Sequence, residues 1–188
     1  INNISYVCEK KLLRNFYTFD CKNNIMTKEN SNPLEKSRMY LKKANELQIK
    51  GQFEEAILNY KISLNIFPTA EAHTFLGWTY SFVGELDNAI EECKKAISLD
   101  KEFGNPYNDI GSYLIQQGKL DEALTWLELA LKAERYDNRH FTYFNIGKVY
   151  ESKGLWFEAL DEYKKAIEIS PDYLIAKQYL NKLQGLLN

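Results

Sequence analysis

Apolar residues recur along most of the chain at intervals of three and four positions. One such run, Tyr107, Ile110 and Leu114, precedes Gly118, and a second run with the same spacing begins at Leu120. Both runs follow the 3.6-residue period of an amphipathic α-helix, and neither alternates between apolar and polar residues as a half-buried strand does. A glycine between them suits the end of the first helix, because glycine adopts the left-handed backbone of a helix cap with little strain. The pattern therefore predicts two helices joined by a tight turn.

This helix pair recurs at a nearly constant period. Three series of small residues share spacings of 33, 34 and 36 positions. The series are Gly51, Gly84, Gly118 and Gly154; Ala44, Gly77, Gly111 and Gly147; and Ala56, Ala89, Ala123 and Ala159. A period of this length indicates a solenoid, in which one supersecondary unit is stacked repeatedly. We expect the first helices near residues 37–50, 70–83, 105–117 and 140–153, and the second helices near 53–66, 86–99, 120–133 and 156–169.

The repeated positions resemble the tetratricopeptide repeat family. The matching residues of the third unit are Tyr107, Ile110, Gly111, Leu114, Ala123, Leu127 and Ala130, and those of the fourth are Tyr143, Ile146, Gly147, Tyr150, Ala159, Tyr163, Ala166 and Pro171. The resemblance extends over about residues 37–171, although Lys43, Lys101 and Arg135 depart from the pattern and two extra residues lengthen the third unit. It implies an all-α fold, a right-handed superhelical α-solenoid of helix-turn-helix repeats with a C-terminal capping helix.

The same pattern divides the chain into segments. A final amphipathic run fits a capping helix that covers the last repeat with one face and meets water with the other. Polar, non-periodic residues before the first repeat fit a linker. The predicted segments are an N-terminal arm at 1–22, a linker at 23–36, repeats at 37–69, 70–103, 104–139 and 140–173, and a capping helix at 174–188.

The N-terminal arm has more than one interpretation. A stripe of apolar residues fits one face of a helix that docks on the array: Ile4, Cys8, Leu12, Phe16 and Phe19. The chain does not begin with Met, and Met26 begins a segment that leads into the repeats. Residues 1–25 are therefore either a fragment of something longer or an upstream extension, and the sequence leaves both open.

Composition excludes several functional classes. The 188 residues include 26 acidic and 24 basic side chains, so the net charge of -2 provides no strong electrostatic attraction for nucleic acid. No apolar run of about 18 residues exists, so we expect no membrane insertion. The opening stretch is interrupted by charges and lacks a signal-peptide apolar region. The three cysteines are too few and too scattered for a disulfide framework, which favours a reducing, cytoplasmic location.

The sequence offers no set of residues for catalysis. Its two histidines fall in different units and share no metal-ligand spacing; His73 matches a packing position, and His140 is expected at the surface. Cys93 matches a buried series and is expected to be an inert core thiol. The glycine-rich phosphate-binding and nucleophile motifs are absent. We therefore predict a protein that is not an enzyme and has no cofactor and no metal site.

The resemblance implies where a partner binds. In this family the first helix of each unit lines a concave groove, at positions six and three before the small residue and one and four after it. Applied to this chain, that rule gives sixteen positions, and the candidate peptide-binding groove consists of nine of them: Asn45, Thr74, Trp78, Asn108, Ser112, Phe141, Phe144, Lys148 and Glu151. Trp78 stands out, because its three counterparts are polar and a large amphipathic aromatic is a typical anchor for a bound peptide.

Two functions follow from this groove. The first is an adaptor or scaffold that binds a peptide or protein segment in the groove. The alternative is a structural assembly or homo-oligomerisation subunit whose groove is filled by its own N-terminal arm. Family members that bind a chaperone's terminal carboxylate use groove lysines, an arginine and asparagines, and Asn45 matches one such asparagine. The lysine positions here hold Leu41 and Asn108, and the other asparagine position and the arginine position hold Trp78 and Ser112, so that subclass is disfavoured.

Overall fold

The computed structural model describes residues 17–20, 25–28 and 32–187. These ranges contain a short hairpin of two strands followed by a series of helices. The strands are β1 (Tyr17–Asp20) and β2 (Ile25–Lys28), antiparallel with Tyr17 opposite Lys28. The helices are α1 (Pro33–Ile49), α2 (Phe53–Ile66), α3 (Ala70–Phe82), α4 (Leu86–Leu99), α5 (Asn105–Gln116), α6 (Leu120–Lys132), α7 (Arg139–Ser152), α8 (Trp156–Ile169) and α9 (Leu174–Leu187).

The first helix of each unit ends in the same turn. The four turn glycines, Gly51, Gly84, Gly118 and Gly154, have φ between 74° and 81°. The amide after each glycine donates to the carbonyl five residues earlier, as Gln52 does to Leu47 at 2.9 Å and Leu155 does to Tyr150 at 2.9 Å. This pattern is a Schellman cap, which satisfies helix carbonyls that would otherwise lack partners. The turns predicted from the glycine series are confirmed.

Small residues allow the two helices of a unit to pack closely. A Cβ added to Gly111 would lie 2.5 Å from Leu127 Cδ2, and one added to Gly147 would lie 2.5 Å from the Tyr163 ring. The facing alanine series is fully buried, as at Ala123. The helices bury a core that continues from unit to unit, and a further cluster joins the last repeat to α9. The predicted all-α repeat solenoid is confirmed.

The third unit accommodates its extra length in the connection between α6 and α7. The Arg135 amide donates to the Glu102 carbonyl at 2.9 Å, and the Arg135 carbonyl accepts from the Gly104 amide at 3.1 Å. The Arg135 guanidinium lies 4.4 Å from the Phe103 ring centre. Tyr136 packs so tightly on Gly104 that a Cβ there would lie 2.4 Å from the tyrosine. Arg135, which departs from the family pattern, therefore joins two successive connections.

The structure differs from the prediction made from the sequence in the residues that precede the first repeat. Phe19 lies in strand β1 rather than on a helical stripe, because Tyr, Thr and Phe favour extended backbone. Strand β2 lies inside the predicted linker, and α1 begins at Pro33 because Pro suits the first helical position and the Asn32 side chain accepts from the Leu34 amide at 3.1 Å. The other stripe positions, from Ile4 to Phe16, lie outside the described residues.

Candidate binding groove

A cavity of about 500 Å³ opens between the first helices of the second, third and fourth units. Helices α3, α5 and α7 each contribute residues one helical turn apart, and Tyr173 closes the C-terminal side. Six of the nine predicted groove residues line it: Trp78, Asn108, Ser112, Phe141, Phe144 and Lys148. Most of the side chains predicted from the repeat spacing therefore lie together in one cavity.

The other three predicted residues lie outside this cavity. Thr74 is 1% exposed and donates its hydroxyl to the Ala70 carbonyl at 2.8 Å, so it is a packing residue and not a contact for a partner. Asn45 accepts from the Tyr60 hydroxyl at 2.5 Å. Glu151 accepts from the Tyr163 hydroxyl at 2.6 Å and lies 3.5 Å from the Lys182 ammonium. Hydrogen bonds within the chain thus occupy Asn45 and Glu151, the polar positions at the two ends of the predicted groove.

Trp78 anchors the cavity wall through a carboxylate that sequence reasoning missed. Its indole Nε1–H donates to Asp109 Oδ2 at 2.5 Å. Burial raises the pKa of Asp109 to about 7, against the lowering effect of the hydrogen bonds from Trp78 and Asn108. A signal for this pair exists in the sequence, since a tryptophan on a helix face needs an acceptor and Asp109 lies one repeat along the chain.

A polar network forms the floor between α5 and α7. Asn108 Oδ1 accepts from the Asn145 amide at 3.0 Å and from the Thr142 hydroxyl at 3.1 Å. The Thr142 hydroxyl also lies 2.8 Å from the Tyr136 hydroxyl. Asn108 is only 8% exposed. Its carbonyl oxygen therefore holds the two helices in register, and it is less available to a partner than the sequence predicts.

Aromatic rings form the C-terminal wall. Phe144 packs edge-on against Tyr173 at 5.4 Å and against Tyr179 of α9 at 5.0 Å between ring centres, which leaves it 8% exposed. Phe141 contacts Tyr173 at 5.4 Å but stays 40% exposed at the cavity mouth. Lys148 Nζ lies 6.0 Å from the Phe144 ring centre. Phe141 is therefore the accessible aromatic of this wall, whereas Phe144 supports it from below.

His73 and Cys93 are both held within the packing of the second unit. His73 Nδ1 lies 2.6 Å from Glu92 Oε2, and Lys95 Nζ lies 2.7 Å from Glu92 Oε1. Burial opposes ionisation of Glu92, but hydrogen bonds from His73 and Lys95 lower its pKa below the ordinary value. Cys93 is fully buried, and burial raises the pKa of its thiol.

His140 is less exposed than predicted. Its ring centre lies 4.1 Å from that of Phe141 and 5.2 Å from that of Tyr173, and burial lowers its pKa. Over the described part of the chain, no cluster of three metal-ligating side chains occurs. Nor, over the same ranges, is any helix long and apolar enough to cross a bilayer.

Comparison with known families supports the repeat pattern. Residues 70–103 and 102–172 match two models described as tetratricopeptide repeat, which together span more than half of the chain. The Hsp70-Hsp90 organising protein of Plasmodium falciparum is 30% identical over 84 residues, which is 45% of this chain and 32% of that protein. The chain spans less than half the length of the curated relatives it matches.

Solved structures show the same architecture. MamA superposes with a TM-score of 0.65 at 29% identity, over 79% of this chain and 81% of that one. PilF of Pseudomonas aeruginosa superposes with a TM-score of 0.74 at 23% identity, over 81% of this chain and 69% of that one. At that identity the likeness to PilF concerns the fold alone.

Proposed function

Because this chain belongs to the tetratricopeptide repeat family, we propose that it is a protein-interaction scaffold and that its cavity between α3, α5 and α7 binds a segment of another protein. The observation that carries the proposal is the cavity itself. Its volume falls within the range of about 300–1,000 Å³ that is usual for binding pockets. It combines an apolar wall with a few fixed polar groups, which is the composition that binds and orients a ligand.

The exposed aromatics identify the contact surface. Phe141 is 40% exposed on α7, and Phe82 is 59% exposed on α3 across the cavity, where it stacks on Phe53 with ring centres 5.4 Å apart. A bound segment would bury both rings, and aromatic anchors of this kind dominate the affinity of interfaces. Trp78 and Phe144 contribute by holding the walls in place.

A matched pair of phenylalanines tests this function. Peptides selected from a displayed library against the full chain provide the ligand, and their affinity is measured by titration calorimetry. We expect Phe141→Ala to weaken binding at least about ten-fold, equivalent to about 1.4 kcal/mol. Phe157, which is 73% exposed on α8 outside the cavity, supplies the control, and Phe157→Ala should leave the affinity unchanged. Equal affinities for the two variants would contradict the assignment of the groove.

The relative from Plasmodium does not extend this proposal to chaperone tails. The positions at which chaperone-binding members carry two lysines, an asparagine and an arginine hold Leu41, Asn108, Trp78 and Ser112 in this chain. A terminal carboxylate would find no charge-assisted bond at these four positions. We therefore propose internal segments of a partner as ligands.

The proposal also includes a non-enzymatic role and a cytoplasmic location. A non-enzymatic role is supported by the structural use of His73 and Cys93 described above. The cytoplasmic location stays a prediction. The alternative of an assembly subunit whose groove holds its own N-terminal arm makes a different prediction: deletion of residues 1–31 would then expose peptide binding that the full chain lacks.

A further inference from the structure

The cavity contains a carboxylate at a position that is not acidic in the other units. Asp109 lies on α5, and the column of equivalent positions holds Lys42, Phe75 and Asn145 in the other units. Its close hydrogen bond comes from the neutral Trp78 indole, and the Asn108 amide lies farther away, at 3.4 Å. Within residues 32–187 no lysine, arginine or histidine pairs with it. A carboxylate placed in this way is costly to ionise unless a cation joins it.

The titratable groups around Asp109 leave its charge uncompensated. Cys93 approaches it from α4, Tyr113 from α5 and Tyr136 from the connection before α7. Burial raises the pKa of the thiol and of both phenols, so all three are neutral near pH 7. The other charge lining the cavity is Lys148, which makes no ion pair within residues 32–187.

A polar atom one helical turn from Asp109 lacks a hydrogen-bond partner. Tyr113 lines the cavity and is 4% exposed, and its hydroxyl makes no hydrogen bond in the described part of the chain. The nearby Ser81 hydroxyl donates to the Trp78 carbonyl at 2.8 Å. A buried phenol oxygen without a partner carries a free-energy cost that a ligand donor removes. Asp109 and Tyr113, one helical turn apart on α5, are thus the two groups of the cavity lining whose burial a ligand donor would compensate.

The aromatic wall is suited to a cation as well. Ring faces attract cations through their quadrupole, most strongly where water is excluded. Lys148 Nζ, 6.0 Å from the Phe144 ring centre, is a cation from this chain already in contact with the wall. The alkyl part of a longer basic side chain would pack against Phe141 while its charged end reaches the carboxylate.

We propose that the cavity receives a lysine or arginine side chain of the bound segment, with its cationic group at Asp109 and Tyr113 and its alkyl stem along the aromatic wall. This inference rests on the proposed function, since the side chain belongs to the segment that the groove binds. The groove would then prefer basic segments, in contrast to family members that bind a terminal carboxylate.

Small probes test the site directly. The isotope-labelled full chain is titrated with n-butylammonium, n-butylguanidinium and, as a neutral isostere, n-butanol. The indole N–H signal of Trp78, assigned with Trp78→Phe, reports binding, and the signals of Trp126 and Trp156 serve as internal references. We expect the dissociation constants of the two cations, measured from the shift of the Trp78 signal, to be at least ten-fold lower than that of n-butanol. Equal binding of all three probes would overturn the proposal.

Ionisation of the carboxyl adds an independent measurement. With a pKa of about 7, Asp109 passes from mostly neutral at pH 6 to mostly charged at pH 8. Both cationic probes stay charged over this range, so their affinity should rise about ten-fold from pH 6 to pH 8. Affinity that does not change with pH would count against the carboxylate as the partner.

Two variants complete the design. Asp109→Asn keeps the size and an acceptor for Trp78, and should bind n-butylammonium no better than n-butanol. Lys148→Met removes the positive charge that would compete with a bound cation for the cavity, and it should tighten cation binding several-fold. This second variant tests the proposal even if Asp109→Asn fails to fold. Unchanged cation preference in a folded Asp109→Asn variant would refute the assignment.

The selected peptides separate this inference from the proposed function. If they bind with dependence on Phe141 and a basic residue replaced by Met weakens them at least ten-fold, both proposals hold. If they depend on Phe141 but tolerate replacement of every basic residue, the groove function stands and the cation site fails. If no peptide binding depends on Phe141, the groove function fails, whatever the small cations do.

Discussion

Asp109 shows how one side chain links the groove to the stability of the fold. Its carboxyl has a pKa of about 7 in the folded protein, and in an unfolded chain an aspartate titrates near about 3.9. The folded state therefore binds more protons than the unfolded state between these values. The contribution of this group to stability is present below about pH 4 and is lost as the pH rises to 7.

Asp109→Asn should reveal that pH dependence. The amide does not ionise, so the variant should gain stability relative to the parent chain as the pH rises. We expect the difference in unfolding free energy to change by roughly 2 kcal/mol in favour of the variant between pH 5 and pH 8. Urea unfolding of both proteins at the two pH values measures it. A constant difference would show that Asp109 ionises in the folded state as freely as in water.

The same residues show what a periodic sequence does and does not predict about a site. Trp78 and Phe141 follow from position, because equivalent residues of successive units face the same side of the array. Position alone does not distinguish a residue that faces the groove from one held by its neighbours, as Phe144 and Thr74 show. The hydrogen bond between Trp78 and Asp109 joins two units, and it depends on side-chain length and direction rather than on the repeat.

Helix pairs are the elements that the sequence predicts best. The predicted first and second helices agree with the observed ones, apart from the start of α1 at Pro33, because the apolar period and the capping glycines both specify them. Residues 17–20 and 25–28 lack the capping glycines and the repeat period of the helix pairs. Their pairing as β1 and β2 depends on contacts between strands, which a search for a period of 3.6 residues cannot detect.

Close packing within a pair depends on the absence of a side chain at one position. Gly111→Ala would place a Cβ 2.5 Å from Leu127 Cδ2, and Leu127 is fully buried and cannot move without disturbing the core. We expect a loss of about 1–3 kcal/mol in unfolding free energy, as for overpacked cores. Chemical denaturation measures this loss.

Gly185 provides the matched control for that substitution. It lies in α9, and nothing approaches within 4 Å of its added Cβ. Gly185→Ala should stabilise the protein by up to about 1 kcal/mol, the difference in helix propensity between the two residues. If both alanines had the same effect, close helix contact would not be the reason for the small-residue series.

At the scale of the whole molecule, the hydrophobic core of the array is divided into clusters that join neighbouring helices. A core cluster extends through the helices up to α7, and a second joins α8 and α9 around Tyr163 and Leu183. In such arrays each unit depends mainly on the units beside it. The groove uses three successive units, so its shape depends on their relative positions and on the capping helix behind Phe144.

Leu183→Ala tests this local dependence. Leu183 is 2% exposed in α9, and its truncation should cost about 2–5 kcal/mol by leaving a cavity under the last repeat. Hydrogen exchange followed by mass spectrometry should show faster exchange in α8 and α9 and little change in α1 to α3, because opening spreads only through neighbouring units. Leu76→Ala, at a residue 1% exposed in α3, should instead increase exchange in the first three units.

Since Phe144 contacts Tyr179 of α9 at 5.0 Å, Leu183→Ala should also weaken peptide binding. Uniform acceleration of exchange in both variants would show that the repeats unfold as one unit, and the groove would then depend equally on every helix.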